Sequence, residues 1–401
     1  MSPQTRDIVQ IDYWPIDIPL TDPFVVATGS RHLAENVCVR MTLSNGTQGY
    51  GEAAPFPEVG GESRASCLAA IGLVGRTMLG HQTDQFNNIA TRLHEEAPAQ
   101  PAARCALETA MIDAHCRALG LPLWALWGGA DLRERETDIT IPIGTLHQTL
   151  RLAQAWYAKG FRLFKMKVGA DVETDIRRLE AVHRALPQVA FIGDGNQGFS
   201  QRECLAFAKG VKRFGGQLVL LEQPVLREDL EALAAIRRET GIPVAADESV
   251  RSLVDAKQVV KRHAADYINI KTMKTGVIEA HEIALFALAS GLKLMIGGMV
   301  ETRIAMGCSF SLVLGVKGFE VLDLDTPLLL DNDPVIGGYH YRGPCLVPWP
   351  CWSSASSGHF APGAWLNRNL GIIYHRDTEA TESHGASTLC RAPSVSSVSL
   401  W

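Results

Sequence analysis

From residue 137 onward the chain alternates between two hydrophobic periods. Short β-branched or apolar runs recur as TDITIPIG (137–144), FRLFKMKVG (161–169), VAFIGDGNQ (189–197) and LVLLEQPV (218–225). They continue as IPVAADES (242–249), DYINIKTMK (266–274), KLMIGGMVE (293–301) and FEVLDLD (319–325). Between them lie stretches with helical spacing, such as DVETDIRRLEAVHRAL and VIEAHEIALFALAS. Strand, helix and strand in repetition predict parallel strands joined by crossover helices. Eight strands at this spacing suit a closed α/β barrel of the TIM type, with its chemistry at the C-terminal strand ends.

The first 130 residues read differently. Two antiparallel-looking strand segments come first, then helical patterns through ESRASCLAAIGLVGRTML and PAARCALETAMIDAHCRAL. Gly120-Leu121-Pro122 stops the second helix. This predicts a separate α+β capping domain over residues 1–130, lying across the mouth of a barrel that spans 131–326. After Pro350 the pattern fails: residues 351–401 are serine-rich and aperiodic, which reads as disorder. The break from GGYHYRGPCLVPWP to CWSSASSGHFAPGAW is abrupt enough to suggest a shifted reading frame.

Composition removes several classes of function. The chain has 401 residues, 46% of them hydrophobic and 20% charged, with a net charge of −5. Weak acidity argues against nucleic acid or an anionic membrane as partner, since both demand a basic face. No uncharged run approaches the roughly 20 residues that span a bilayer, and the N-terminus has no signal-peptide pattern. The nine cysteines include no CxxC pair, which reads as reduced thiols in a cytoplasmic protein. Asn45-Gly46-Thr47 matches a glycosylation sequon but lies between strand-like runs, so it is read as a hairpin turn. A small-molecule substrate is the expected partner, and a homo-oligomer is left open.

Three of the runs end in carboxylates: Asp194 in GDGNQ, Glu222 in LEQP and Asp247 in ADES. An acid after a strand is, taken singly, more often a helix N-cap. Three of them at one end of consecutive strands repel unless a cation holds them. Oxygen-only ligands point to a hard ion, Mg²⁺ first and Mn²⁺ second. Lys165 and Lys167 are two apart on the second strand and share a face, and Lys271 comes from the sixth. Crowding by another lysine and by a metal ion is expected to lower a lysine pKa and make it usable as a base. The combination suits removal of a proton from the carbon next to a carboxylate, through an enediolate intermediate stabilised by the ion. A lysine on each side would return the proton to the opposite face.

With these residues in place the chain resembles the enolase superfamily, in its muconate lactonizing enzyme subgroup. The resemblance covers about residues 8–349. It rests on Lys165-x-Lys167, Asp194-x-Asn196, Glu222-Gln223-Pro224, Asp247-Glu248-Ser249, Asn269-Ile270-Lys271 and the junction ALETAMIDAHCRALGLPLWALWGG (106–129). It implies a modified TIM barrel of the (β/α)7β type with an N-terminal capping domain, to which residues 327–350 return. It also implies Asp194, Glu222 and Asp247 as Mg²⁺ ligands, Lys167 and Lys271 as the acid/base pair, and Lys165 as their assistant. Asp323 and Asp325, two apart in VLDLDTP, share a strand face and would cradle a substrate ammonium group. That Asp-x-Asp resembles the one in dipeptide epimerases, so a dipeptide is the expected substrate. The side-chain pocket would draw on PFVVATGSRHL (23–33), AAPFPEVGGE (53–62) and GGMVET (297–302), including Met299 and Thr302. Glu58 and Glu62 would suit a basic side chain and Arg31 an acidic one; the reading leans to a hydrophobic or basic second residue.

Other readings use the same residues. GDGNQG (193–198) fits the dinucleotide fingerprint GxGxxG after a strand, but its second position is Asp194, and it falls in mid-barrel. A non-catalytic binding barrel would have no reason to keep so costly a charge cluster. Within enzymes the alternative is o-succinylbenzoate synthase or N-succinylamino acid racemase activity, which has no ammonium group for Asp323 and Asp325 to hold.

Overall fold

The structure, a computed structural model, describes residues 6–129, 131–335, 338–348 and the pair 375–376. An antiparallel meander opens the chain: β1 (Ile8–Val26), β2 (Gly29–Leu43) and β3 (Gln48–Ala53). Period-two alternation sends Trp14, Ile16 and Ile18 of β1 into the core of this domain. The turn between β2 and β3 is the expected Asn-Gly hairpin. Gly46 sits at φ 82°, and Asn45 Oδ1 accepts the Thr47 N–H at 3.0 Å. Three helices complete the layer: α1 (Arg64–Val74), α2 (Phe86–Glu96) and α3 (Pro101–Leu119). Helix α3 is buried from Pro101 to Cys116, on every side, because it separates the meander from the barrel. It approaches β3 so closely that a Cβ on Gly51 would stand 1.9 Å from the Ala106 carbonyl oxygen.

After the short β4 (Arg135–Glu136), each apolar run forms its strand. These are β5 (Ile139–Ile141), β6 (Leu163–Lys167), β7 (Ala190–Asp194), β8 (Gln217–Glu222), β9 (Val244–Ala246), β10 (Tyr267–Ile270), β11 (Lys293–Ile296) and β12 (Phe319–Leu322). They pair in parallel and in chain order. The Leu322 carbonyl accepts the Asp138 N–H at 2.9 Å and the Thr137 hydroxyl proton at 3.1 Å, which brings the last strand back to the first. Seven helices follow the first seven strands: α4 (Leu146–Ala158), α5 (Val172–Ala185), α6 (Gln201–Arg213), α7 (Leu230–Thr240), α8 (Leu253–Lys261), α9 (Val277–Ala289) and α10 (Arg303–Gly315). The fold is the (β/α)7β barrel with an α+β cap. A closing hairpin, β13 (Tyr339–Arg342) and β14 (Cys345–Pro348), pairs with β4, while Leu330 bridges to Leu20 of the cap.

Helix starts in the barrel are set locally except in α9, and α10 adds a partner from the cap domain to its own Thr302, whose Oγ1 accepts the Ile304 N–H. Thr145, Asp171, Ser200, Asp229 and Ser252 each accept a backbone N–H at their own helix N-terminus. Helix α9 instead receives Glu108 of α3, which accepts the N–H groups of Val277 (2.6 Å) and Ile278 (3.0 Å). Helix α10 receives Glu52 of β3, which accepts from Thr302 N, Thr302 Oγ1 and Ala305 N. Two buried carboxylates of the cap thus sit on the positive ends of two barrel helices, a favourable placement that fixes cap to barrel. Burial pushes the Glu108 carboxyl up to about 7 and raises that of Glu52.

The described cysteines are all free, and six of the seven are buried. Among the described residues no helix is long and apolar enough to cross a membrane. The serine-rich segment 351–401, and with it the expectation of disorder and of a shifted frame, lies outside the described residues apart from 375–376. There the backbone of His375 and Arg376 pairs antiparallel with Tyr13 and Asp12.

Candidate active site

Parallel register builds the site one strand at a time. Lys167 of β6 is the Cα partner of Asp194 at the end of β7, and Asp194 is that of Glu222 at the end of β8. Asp247 follows β9 by one residue. Alternation along β6 points both Lys165 and Lys167 inward, where each is at most 5% exposed. Lys165 Nζ lies 3.0 Å from Asp194 Oδ2, 2.9 Å from Glu222 Oε2 and 2.6 Å from Asp323 Oδ2. Lys167 Nζ lies 2.6 Å from Asp194 Oδ2. Lys271, the residue after β10, places Nζ 2.8 Å from Asp247 Oδ2.

The loops that hold the acids are locally strained. Asn196 and Gln223, two and one residues past Asp194 and Glu222, sit at φ 40° and 32°. Gln223 is held there by its side chain. Its Oε1 accepts the N–H groups of Asp247 and Ser249, and its Nε2 donates to Ser249 Oγ and the Val225 carbonyl. One fourth-strand residue thereby shapes the end of the fifth.

Titration follows from these contacts. Burial would raise Asp194, but the Lys165, Lys167 and Lys271 charges hold it down to about 2. Asp247 is likewise driven low against burial by Lys271 and Lys274. Glu222 goes the other way, to about 8, because burial and the neighbouring Asp194 charge exceed the pull of Lys165. For Lys271 the protein contacts act in both directions. Burial and Lys165 act downward, yet Asp247 at 2.8 Å holds the ammonium above its ordinary range.

Asp323 and Asp325 come together, though not by strand alternation as expected. β12 ends at Leu322, and Asp325 already has helical backbone angles, φ −96° and ψ −15°, at the start of a 3-10 turn. The Thr140 N–H fixes its Oδ2 at 2.6 Å. A third carboxylate joins them, one that sequence reasoning missed. Asp138, Asp323 and Asp325 bring one oxygen each to within 4.8 Å of one another. Both Asp138 oxygens and Asp325 Oδ1 are buried without a hydrogen bond. Asp138 is legible only as the polar residue opening the first run, since it reaches the cluster through the stagger of barrel closure.

The outer candidates separate. Arg31 and Glu58 pair with each other at 2.8 Å, and the Arg31 guanidinium lies over the Phe56 ring at 4.8 Å. Neither charge is left free for a substrate. Glu62 is engaged elsewhere, accepting the Ala102 N–H at the start of α3. Thr302 spends its hydroxyl on Glu52 at 2.6 Å, so it positions the loop after β11. Met299 is 9% exposed in that loop, two residues after Gly297, where a Cβ would stand 3.1 Å from Asp323 Oδ2. Phe24, the β1 partner of Arg31, lies 5.6 Å from Lys167 Nζ, measured to its ring centroid.

The donor set fits a divalent hard cation. Seven buried carboxylates (Asp138, Asp194, Glu222, Asp247, Glu248, Asp323, Asp325) face four buried lysines (Lys165, Lys167, Lys271, Lys274). Carboxylates crowded in a dry site repel, which pushes groups such as Glu222 toward the protonated form unless a cation joins them. Glu222 Oε2 and Asp247 Oδ2 are buried with no directed hydrogen bond, although each lies within ion-pair reach of a lysine.

Known proteins share this architecture in full. Residues 11–128 match the mandelate racemase / muconate lactonizing enzyme N-terminal domain, and residues 148–347 match the enolase C-terminal domain-like family. The chain belongs to the mandelate racemase / muconate lactonizing enzyme family of the enolase superfamily. Within that superfamily it is 42% identical to an aromatic dipeptide epimerase of Herpetosiphon aurantiacus, over 82% of this chain and 93% of the relative. It is 31% identical to an N-succinyl-L-Arg/Lys racemase of Bacillus cereus, over 84% and 92%. A dipeptide epimerase of Enterococcus faecalis, solved with Mg and the dipeptide L-Leu-L-Tyr, superposes with a TM-score of 0.82 at 31% identity, covering 86% of this chain and 97% of that one. The enzyme is an isomerase of the racemase and epimerase class.

Proposed function

We propose that the protein epimerises a dipeptide at the α-carbon beside its carboxylate, by a two-lysine 1,1-proton transfer. One observation carries this reading: Lys167 and Lys271 meet the same carboxylate cluster from β6 and β10. Four strands apart in an eight-stranded barrel, they stand on opposite walls. An amine on one wall takes the α-proton, and the ammonium on the other returns one to the opposite face. Lys165, pinned among Asp194, Glu222 and Asp323, stays protonated and offsets charge that builds on the substrate carboxylate. Asp194, Glu222 and Asp247 would hold Mg²⁺, or Mn²⁺ in its place, which as a Lewis acid stabilises the enediolate charge. Residues 1–130 and 327–350 would shape the side-chain pocket, and 131–326 would carry the chemistry.

Asp138, Asp323 and Asp325 favour a substrate ammonium group, which can reach three acids through charge-assisted hydrogen bonds. A succinyl group would present them with a carboxylate, so the racemase alternative is disfavoured on charge. The Arg31–Glu58 pair neutralises itself, leaving Phe24 and Phe56 of the cap and Met299 of the barrel loop after β11 as the apolar lining. A hydrophobic second residue fits this better than a basic one. N-acetylation of a good dipeptide substrate should lower kcat/KM by about 100-fold or more, the loss of a charged hydrogen-bonded group. Asp323→Asn should raise KM for the free dipeptide while leaving Mg²⁺ affinity within a few-fold. Equal turnover of free and acetylated dipeptides would contradict the ammonium cradle.

A further inference from the structure

Each proposed metal carboxylate has one oxygen held by a nitrogen donor and its other oxygen within ion-pair reach of a lysine. Asp194 Oδ1 accepts the Asn196 N–H at 3.0 Å, and Glu222 Oε1 accepts Asn269 Nδ2 at 2.9 Å. Asp247 Oδ1 accepts Lys274 Nζ at 2.6 Å. Lys165 also places an ammonium on Glu222 Oε1, at 3.0 Å, but the Lys274 tie differs in that all three protons of its ammonium have hydrogen-bond partners. Lys274 is 3% exposed and lies on the single helical turn Thr272–Thr275 that follows Lys271. Its other two protons go to the Asp247 carbonyl at 2.5 Å and the Asn269 carbonyl at 3.0 Å. An ammonium has three donors, so Lys274 is saturated and has none for a substrate.

We propose that Lys274 is a positioning residue that restricts Asp247 to one-oxygen coordination, through Oδ2, and thereby selects a small six-coordinate ion over a larger one. The inference rests on the metal reading above. Ca²⁺ takes six to eight oxygens and readily uses both oxygens of a carboxylate, whereas Mg²⁺ demands near-octahedral geometry with single-oxygen ligands and water. With Oδ1 covered by an ammonium, Asp247 cannot open to a two-oxygen grip. The backbone ties to Asp247 and Asn269 also fix the ends of β9 and β10 relative to each other, so the carboxylate cannot swing to compensate.

The test is calorimetric titration of the full chain with MgCl₂ and with CaCl₂, for the wild type and for Lys274→Met. The ratio of Ca²⁺ to Mg²⁺ affinity should rise about tenfold or more in the variant, because Oδ1 becomes available. A purely structural role would move both affinities together, and an unchanged ratio overturns the proposal. If Lys274→Met does not fold, the crystal structure of the wild type grown with Ca²⁺ decides the same point. Asp247 should bind through Oδ2 alone with Lys274 in place; two-oxygen binding with Lys274 displaced overturns it. Failure of the wild type to bind either ion is a different result, which removes the metal reading and this inference with it.

Discussion

Lys167→Ala and Lys271→Ala should each lower dipeptide epimerisation by about 1000-fold or more, within the range that positioned acid/base groups contribute. The two losses should differ in kind. Lys167 and Lys271 lie on opposite walls, against Asp194 and Asp247. Removing one leaves the other able to take and return a proton on its own face. In D₂O each variant should therefore exchange the α-proton of one epimer without inverting it, and the two variants should act on opposite epimers. Chiral chromatography coupled to mass spectrometry reads both quantities. Either variant retaining more than about a tenth of wild-type turnover would rule out the two-lysine mechanism.

Removal of divalent ions should abolish turnover as completely. Treatment with EDTA followed by desalting should leave no measurable epimerisation, with recovery on adding Mg²⁺ and partial recovery with Mn²⁺. Stability should respond as well, because seven buried carboxylates then face only four lysines. Ligand linkage sets the scale: Mg²⁺ at a hundredfold its Kd adds about 2.7 kcal/mol to unfolding. The Tm should rise with Mg²⁺ concentration and stay flat with NaCl of equal ionic strength. Full activity after exhaustive chelation would remove the ion from the account.

Much of the barrel was legible because the consecutive apolar runs of β6 to β10 each end in a polar residue that serves the site. Asp194, Glu222 and Asp247 stand at the ends of β7, β8 and β9, and alternation along β6 points Lys165 and Lys167 to one face. Illegible features are those set by backbone changes too short to carry a period. Lys274 lies in a four-residue helical turn after β10, where INIKTMK reads as one continuous strand. Asp325 reads as a strand residue, yet β12 stops at Leu322 and a 3-10 turn with the Thr140 N–H delivers its carboxylate. Its partner Asp138 is 187 residues away and meets it only through barrel closure. Arg31 and Glu58 looked like alternative specificity charges, but folding brings these residues, 27 apart, into one ion pair. The Lys271 ammonium shows the same limit in electrostatics. Among its protein contacts the nearest partner, Asp247, outweighs burial and Lys165.

The most direct measurement is incubation of the wild type with L-Ala-L-X dipeptides in D₂O containing Mg²⁺, followed by mass spectrometry and chiral analysis of the second residue. Epimerisation at the carbon beside the carboxylate predicts a gain of one dalton there, with the same final mixture of epimers reached from either one and the fastest turnover for hydrophobic X. Absence of exchange in every dipeptide, with exchange in N-succinylamino acids, would contradict it.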